Sequence, residues 1–138
     1  MGDVVALHVL RFPGTLAGFT EAFSRLNAIL DRGPIEGEAR FHVELVFDEI
    51  AANVIRHASP TGEIEVTVRL GREVVLTFED DGVPFDPCAQ PEPPEPRSLD
   101  EATPGGRGLM LVRMYSTRLD YQRTPEGRNR LTVTLPAG

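Results

Sequence analysis

The chain has 138 residues, of which 41% are hydrophobic and 25% are charged, and this balance predicts one soluble globular domain over residues 1–138. The formal net charge of −7 argues against direct binding to nucleic acid, because nucleic-acid-binding proteins neutralise phosphates with a basic face. No apolar run approaches the roughly 18 residues that a membrane span requires, so no membrane association is expected.

Two further features of composition concern the cellular setting. The N-terminal sequence "MGDVVALHVLRF" carries an acid where a secretory signal would carry basic residues, and we therefore expect a mature cytoplasmic protein. The single cysteine, Cys88, excludes an internal disulfide or a cysteine metal cluster. It is expected to be a free thiol in a loop.

The first sixty residues predict a strand and two helices. Residues 4–12, "VVALHVLRF", are rich in β-branched and apolar side chains and end at a proline, which is typical of a strand. Thr15 can cap a helix in which apolar residues recur at helical intervals until the Gly-Pro breaker at 33–34. A second helix is predicted over 37–58. Its buried stripe is expected to contain Phe47, Ile50, Ala51 and Val54.

The second half of the chain predicts two hairpins, a long loop and a third helix. The runs "EIEVTVRL" (63–70) and "EVVLTFED" (73–80) alternate at period two, which indicates a hairpin. Prolines then recur from 84 to 104, and so many cannot lie inside a helix or a sheet. Residues 105–116 predict a glycine-rich start of a helix, and residues 118–136 predict a closing hairpin around a Pro-Glu-Gly turn.

This order of elements predicts the fold class. Strand, helix, helix, two strands, loop, helix and two strands favour an α+β fold, a two-layer α/β sandwich. The sheet is expected to be mostly antiparallel, with the helices packed on one face. The sequence contains no internal repeat, and the short runs leave no room for a second domain.

Three short motifs contain the candidate functional residues, and each has an ordinary structural explanation by itself. Glu49 and Asn53 lie one helical turn apart, where they could form the wet edge of an amphipathic helix. Asp80 and Gly82 follow a strand, and an acid followed by glycine is a common turn. The glycines of "GGRGL" (105–109) could provide a flexible start to a helix.

Considered together, the three motifs favour a nucleotide site. Glycines before a helix let backbone N–H groups and the positive end of the helix dipole approach a phosphate. An amide oxygen is a suitable ligand for Mg²⁺, and a carboxylate one turn away can orient or deprotonate a nucleophile. An acid at a strand end can accept a hydrogen bond from the amino group of adenine, and a long loop can close over the ligand.

The order of these motifs resembles that of the GHKL (Bergerat-fold) ATPases. The segments "DEIAANVIRHA", "DDGVPFD" and "GGRGLMLVRMYSTRLDY" are most similar to the bacterial anti-sigma-factor serine kinases of the RsbW type, and the resemblance spans residues 10–136. It implies ATP and Mg²⁺ as cofactors and transfer of the γ-phosphate to a serine or threonine of a STAS-type anti-sigma-factor antagonist. It also implies sequestration of a sigma factor, and a homodimer.

The resemblance assigns roles to the residues of the first two motifs. Glu49 matches the catalytic acid, and Asn53 matches the Mg²⁺ ligand. Asp80 matches the acid that reads adenine, and Gly82 matches the glycine of the turn beneath the base. Phe85 matches the apolar residue that follows this turn.

The third motif matches the phosphate loop of the family. Gly106 and Gly108 match its two glycines, and Leu109 matches the leucine that opens the following helix. Arg107 lies between the glycines, where a contact with phosphate and a solvated side chain both remain open. His57 closes the helix motif and is expected to pack against or shape the pocket rather than to react.

The chain departs from the family pattern near the predicted lid, residues 86–105. Some members carry an arginine just before the glycine loop, but Pro104 occupies that position here. Either Arg107 or Arg97 does that work or the activity is weak. Residues 87–104 are expected to be mobile without nucleotide, because they contain little apolar area to bury.

Two other functions remain open from the sequence. The first is a nucleotide-binding module that sequesters its partner without kinase activity, which the missing arginine favours and Glu49 opposes. The second is the ATPase domain of a sensor histidine kinase. We disfavour it because the sequence shows no upstream dimerisation helix with a phospho-acceptor histidine.

Overall fold

A computed structural model describes the chain over residues 4–33, 35–89 and 108–138. Five strands lie in these ranges: β1 Val4–Pro13, β2 Glu63–Gly71, β3 Glu73–Asp80, β4 Arg118–Arg123 and β5 Asn129–Pro136. Three α-helices accompany them: α1 Leu16–Arg32, α2 Gly37–Asn53 and α3 Gly108–Tyr115. A π-helical turn, Val54–Ala58, extends α2. All the predicted strands and helices are therefore present, although the helix predicted over 37–58 is α-helical only to Asn53.

The five strands form one sheet in the order β1-β2-β3-β5-β4. Each neighbouring pair is antiparallel. Buried and less buried residues alternate along β2, β3 and β5, so one face of the sheet contributes to the core. The helices α1 and α2 pack on this face, which confirms the predicted two-layer α+β arrangement.

Phe47 of α2 joins the two layers. Its ring is fully buried and lies 6.1 Å from the ring of Phe12 in β1 and 6.0 Å from the ring of Phe78 in β3, measured between centroids. The rest of the stripe predicted for this helix is buried as well. Burial of this stripe fixes the rotation of α2, and the rotation decides where its polar residues point.

The predicted lid is described only at its beginning. The backbone N–H of Cys88 donates to Asp86 Oδ1 at 2.9 Å, and Pro87 is buried. Cys88 is a free thiol, as predicted, and burial raises its pKa to about 12. Residues 90–107 lie outside the described residues, and the predicted mobility of 87–104 stays a prediction for nearly all of that segment.

None of the helices in the described parts of the chain is long and apolar enough to cross a bilayer.

Candidate functional site

The predicted site residues are arranged along α2 and its π-helical extension. Glu49 and Asn53 are partly buried and lie one turn apart near the end of α2. The extension then continues to Ala58. At a rise of roughly 1.5 Å per residue, Glu49 and Ala58 are about 13 Å apart. We call the helical segment from Glu49 to Ala58 the spine of the site. The other two motifs contact it at these two residues.

Gly108, the first residue of α3, lies directly against Glu49. A Cβ atom at position 108 would overlap the Glu49 side chain, so only glycine permits this contact. Gly108 and Leu109 are both buried. The structure therefore brings the end of the glycine-rich motif beside the acid of α2. Gly106 and Arg107 lie outside the described residues.

The surroundings of Glu49 favour a carboxylate that accepts a proton readily. Partial burial raises the pKa of Glu49, and the neighbouring negative charge of Asp48 raises it further. The positive charge of Arg56 acts in the opposite direction and lowers this pKa. The net effect is a pKa above the ordinary glutamate value, and a raised pKa makes the carboxylate a stronger base.

The turn after β3 packs against the other end of the spine. Asp80 is only 1% exposed, and its Oδ1 accepts a hydrogen bond of 2.8 Å from the backbone N–H of Gly82. The N–H of Val83 donates to the carbonyl oxygen of Ala58 at 2.9 Å. A Cβ at Gly82 would overlap this carbonyl oxygen, so glycine is required for the close approach of the two backbones.

Asp81 provides a second link between this turn and the end of the helix. Its carboxylate accepts hydrogen bonds from the backbone N–H groups of Thr61 and Gly62 at 2.9 and 3.0 Å. The Thr61 hydroxyl donates to it at 2.9 Å. These bonds, led by the one from Gly62, lower the pKa of Asp81. Asp81 thus has a structural function, while the adjacent Asp80 faces the interior.

Phe85 and His57 lie together at the edge of the turn. Their ring centroids are 5.3 Å apart, with the planes inclined by 39°. Phe85 is partly buried, whereas His57 is exposed. This packing is the arrangement expected for His57 from the sequence.

Asn129 was not predicted as a site residue. It begins β5, is 3% exposed, and its Nδ2 donates to Asp80 Oδ1 at 3.0 Å. A sequence signal existed, because Asn129 continues the buried alternation of Leu131, Val133 and Leu135. A buried amide in an apolar stripe must find hydrogen-bond partners, but the sequence does not name them.

The donor set fits a magnesium ion that is shared with phosphate. Among the described residues no group of three or more His, Cys, Asp or Glu side chains could hold a metal ion. Asn53 offers one amide oxygen, with the carboxylate of Glu49 one turn away. Mg²⁺ commonly binds through one or two protein oxygens and takes its other ligands from phosphates and water.

A separate groove between α1 and α2 has a volume of about 460 Å³. Phe19, Phe23, Phe41 and Leu45 give it an apolar lining, with Asp48 at its rim. None of the predicted nucleotide ligands in the described ranges lines this groove, and we do not assign the nucleotide to it.

The comparisons with known proteins agree with this fold. The family model "Histidine kinase-like ATPase domain" matches residues 12–135, and the chain therefore belongs to this family. The chain is 40% identical over 119 residues to the "Serine/threonine-protein kinase BtrW" of Bordetella bronchiseptica. This match covers 83% of each chain. The family resemblance predicted from the motifs is thus confirmed.

A solved structure has the same fold at low sequence identity. One chain of the SiaB–SiaC complex from Pseudomonas aeruginosa matches with a TM-score of 0.55 and 15% identity. The match covers 96% of this chain and 90% of that chain. At this identity the likeness concerns the fold alone.

Proposed function

We propose that this chain is an ATP-dependent serine/threonine protein kinase that phosphorylates an anti-sigma-factor antagonist and sequesters a sigma factor. The contact of Glu49 with Gly108 carries the proposal, because it sets a carboxylate of raised pKa beside the end of the glycine-rich motif. The name of the 40% identical relative supports the kinase activity. The motif resemblance supports a STAS-type antagonist as the acceptor and a sigma factor as the second partner.

The chemistry at the Glu49 end is phosphoryl transfer to a hydroxyl group. The hydroxyl oxygen of the acceptor serine or threonine attacks the γ-phosphorus atom. The Glu49 carboxylate takes the proton of that hydroxyl group. The bond from this phosphorus to the bridging oxygen breaks, and ADP leaves with that oxygen. The Asn53 amide oxygen would hold Mg²⁺, which would supply positive charge to the phosphate oxygens. The motif resemblance supports Gly106, Gly108 and Leu109 as phosphate-loop residues, with Arg107 as a candidate contact to phosphate.

The other end of the spine would hold the base. Asp80 is buried and ends a strand, so its carboxylate can accept a hydrogen bond from the exocyclic amino group of adenine. Gly82 keeps the turn close to the helix, and Phe85 adds an apolar surface next to it. The nucleotide would therefore lie along α2, with adenine near Ala58 and the γ-phosphate near Glu49.

A transfer assay separates this function from a sequestering module. The purified protein is incubated with γ-labelled ATP, Mg²⁺ and a candidate STAS-type antagonist domain. We expect label on a serine or threonine of the antagonist, and labelling slower by on the order of 10²–10⁴-fold with Glu49→Gln. Binding of Mg²⁺-ATP and of the antagonist without any transfer would favour the module, which Pro104 in place of an arginine suggests.

The proposal also includes the cellular compartment and the oligomeric state of the protein. We propose that it acts in the cytoplasm as a homodimer of single-domain chains, without contact with nucleic acid or membrane. Sedimentation equilibrium of the purified protein measures the dimer directly, and a monomer at micromolar concentration would contradict that part.

A further inference from the structure

The side-chain NH₂ group of Asn129 determines which carboxylate oxygen of Asp80 forms hydrogen bonds within the protein. The two residues are directly paired across β3 and β5. The Asn129 Nδ2 group donates to Asp80 Oδ1 at 3.0 Å and to the carbonyl oxygen of Val83 at 2.8 Å. Because the N–H of Gly82 also donates to Oδ1, at 2.8 Å, that oxygen receives two donors from the protein. None of the described residues donates a hydrogen bond to the second oxygen, Oδ2, so on this part of the chain that oxygen is available to a ligand.

The acceptor side of Asn129 fixes the orientation of the amide. Its Oδ1 accepts from the backbone N–H of Phe85 at 3.0 Å, from the Tyr121 hydroxyl at 2.6 Å and from Arg123 Nη1 at 3.2 Å. A flipped amide would place its own N–H groups against these donors. Arg123 Nη1 also donates to the carbonyl oxygen of Gly82 at 2.8 Å. The edge strand β4 thereby supports the turn that carries the candidate base-binding residues.

From these bonds we infer that Asn129, held by Tyr121 and Arg123, is a positioning residue that sets the selectivity of the site for adenine. The inference rests on the adenine-reading role proposed above for Asp80. With Asp80 Oδ1 engaged, its Oδ2 accepts a hydrogen bond from the amino group of adenine. The keto oxygen of guanine in the same place would face Oδ2 and repel it. Without Asn129 the carboxyl group of Asp80 can rotate, and the preference of the site for adenine over guanine falls.

The Asn129→Asp variant tests this inference because it changes one group. It preserves the side-chain size and the acceptor that faces Phe85, Tyr121 and Arg123, and it replaces the donor that faces Asp80. Two carboxylates at this distance repel each other, and Asp80 Oδ1 loses the donor that holds it. At pH 8 we expect about tenfold weaker ATP binding than in the wild type, and a smaller preference for ATP over GTP.

The ratio of ATP to GTP affinity distinguishes positioning from general damage, because a merely destabilised protein would bind both nucleotides more weakly to the same extent. Arg123 and Tyr121 of β4 face the acceptor oxygen that Asn129→Asp retains, so the variant changes only the side of the group that faces Asp80. Calorimetry with Mg²⁺-ATP and Mg²⁺-GTP provides the measurement.

Thr124→Val is the matched control. Thr124 is 4% exposed in the same β4–β5 hairpin, and its Oγ1 accepts from the N–H of Arg128 at 3.1 Å. Loss of the Thr124 hydroxyl group should lower the melting temperature without changing the ratio of ATP to GTP affinity. If Asn129→Asp fails to fold, Tyr121→Phe serves instead, and a drop of a few fold in that ratio is expected. An unchanged ratio in Tyr121→Phe would then overturn the inference.

The outcomes separate this inference from the function on which it rests. A wild-type protein that binds ATP and GTP equally removes the role of Asp80, and the inference falls with it. A wild-type protein that prefers ATP, together with an Asn129→Asp variant that retains both affinity and preference at pH 8, overturns the inference alone.

Discussion

Glu49 is the residue whose substitution separates binding from chemistry. Glu49→Gln preserves the shape and hydrogen bonding of the side chain but removes its ability to accept a proton. We expect nucleotide affinity close to that of the wild type and a loss of phosphoryl transfer on the order of 10²–10⁴-fold. Calorimetry measures the first quantity and single-turnover transfer measures the second.

The control for this substitution comes from the same helix. Glu38 is an exposed acid in the first turn of α2, and Glu38→Gln should leave both affinity and transfer unchanged. Wild-type transfer rates in Glu49→Gln would show that the carboxylate is not the base.

Asp48 and Arg56 give a pH test of the same carboxylate. A general base works when it is ionised, so transfer should fall as the pH drops through the pKa of Glu49. Asp48 raises this pKa, and Asp48→Asn should therefore move the acid limb of the rate profile to lower pH. Arg56 lowers this pKa, and Arg56→Gln should move the limb to higher pH. Both shifts should shrink in high salt, because these two side chains are exposed.

The measurement is kcat/KM against pH for the wild type and the two variants. Shifts in the same direction for Asp48→Asn and Arg56→Gln would show that another group produces the acid limb.

At the scale of elements, the start of α3 contacts Glu49 near the end of α2 because Gly108 has no side chain. A Cβ in Gly108→Ala would overlap the Glu49 side chain, which is flexible and can move away. We therefore expect a folded protein with strongly reduced transfer, because the carboxylate leaves its position beside the phosphate loop. Circular dichroism with a transfer assay tests this. Full activity in Gly108→Ala would mean that the Glu49–Gly108 contact is not needed for transfer.

The turn after β3 should respond differently to the same substitution. A Cβ in Gly82→Ala would overlap the backbone carbonyl of Ala58, which cannot move without disturbing the hydrogen bond from Val83. We expect a loss of roughly 1–3 kcal/mol in the free energy of unfolding, together with weaker nucleotide binding. Gly138→Ala is the control, since nothing lies within 4 Å of a Cβ there. Urea unfolding curves give the comparison, and equal stability of the two variants would contradict the packing argument.

At the scale of the whole molecule, ligand binding should stabilise the folded chain. A nucleotide present at a hundred times its Kd adds about 2.7 kcal/mol, which raises the melting temperature by roughly 10 °C in a domain of this size. We expect this shift with ATP and Mg²⁺, a smaller shift with GTP, and a smaller shift when the metal is chelated. Asn53→Ala should lose the metal-dependent part. Equal shifts with and without metal in the wild type would remove Asn53 as a metal ligand.

The sequence by itself determined the elements of this fold. Alternation at period two along 63–70 and 73–80 and the apolar stripe of 37–58 depend on neighbours within a few residues, so they can be read locally. Thr15 shows the same for a helix start, because the hydroxyl that accepts from the N–H of Gly18 lies three residues away in sequence. The motifs also indicated the family, since their spacing follows from the same local geometry.

The tertiary structure decided which of these residues meet. The contact between Glu49 and Gly108 joins residues that are far apart in sequence, and only the packing of α3 beside α2 produces it. The buried alternation of β5 indicated that Asn129 is buried, but its partners depend on the pairing of β3 with β5 and on two side chains of β4. The change from α-helix to π-helix at Val54 was likewise not visible in the sequence. Hydrogen bonds and steric contacts between distant segments depend on the packing of whole elements, which local patterns do not contain.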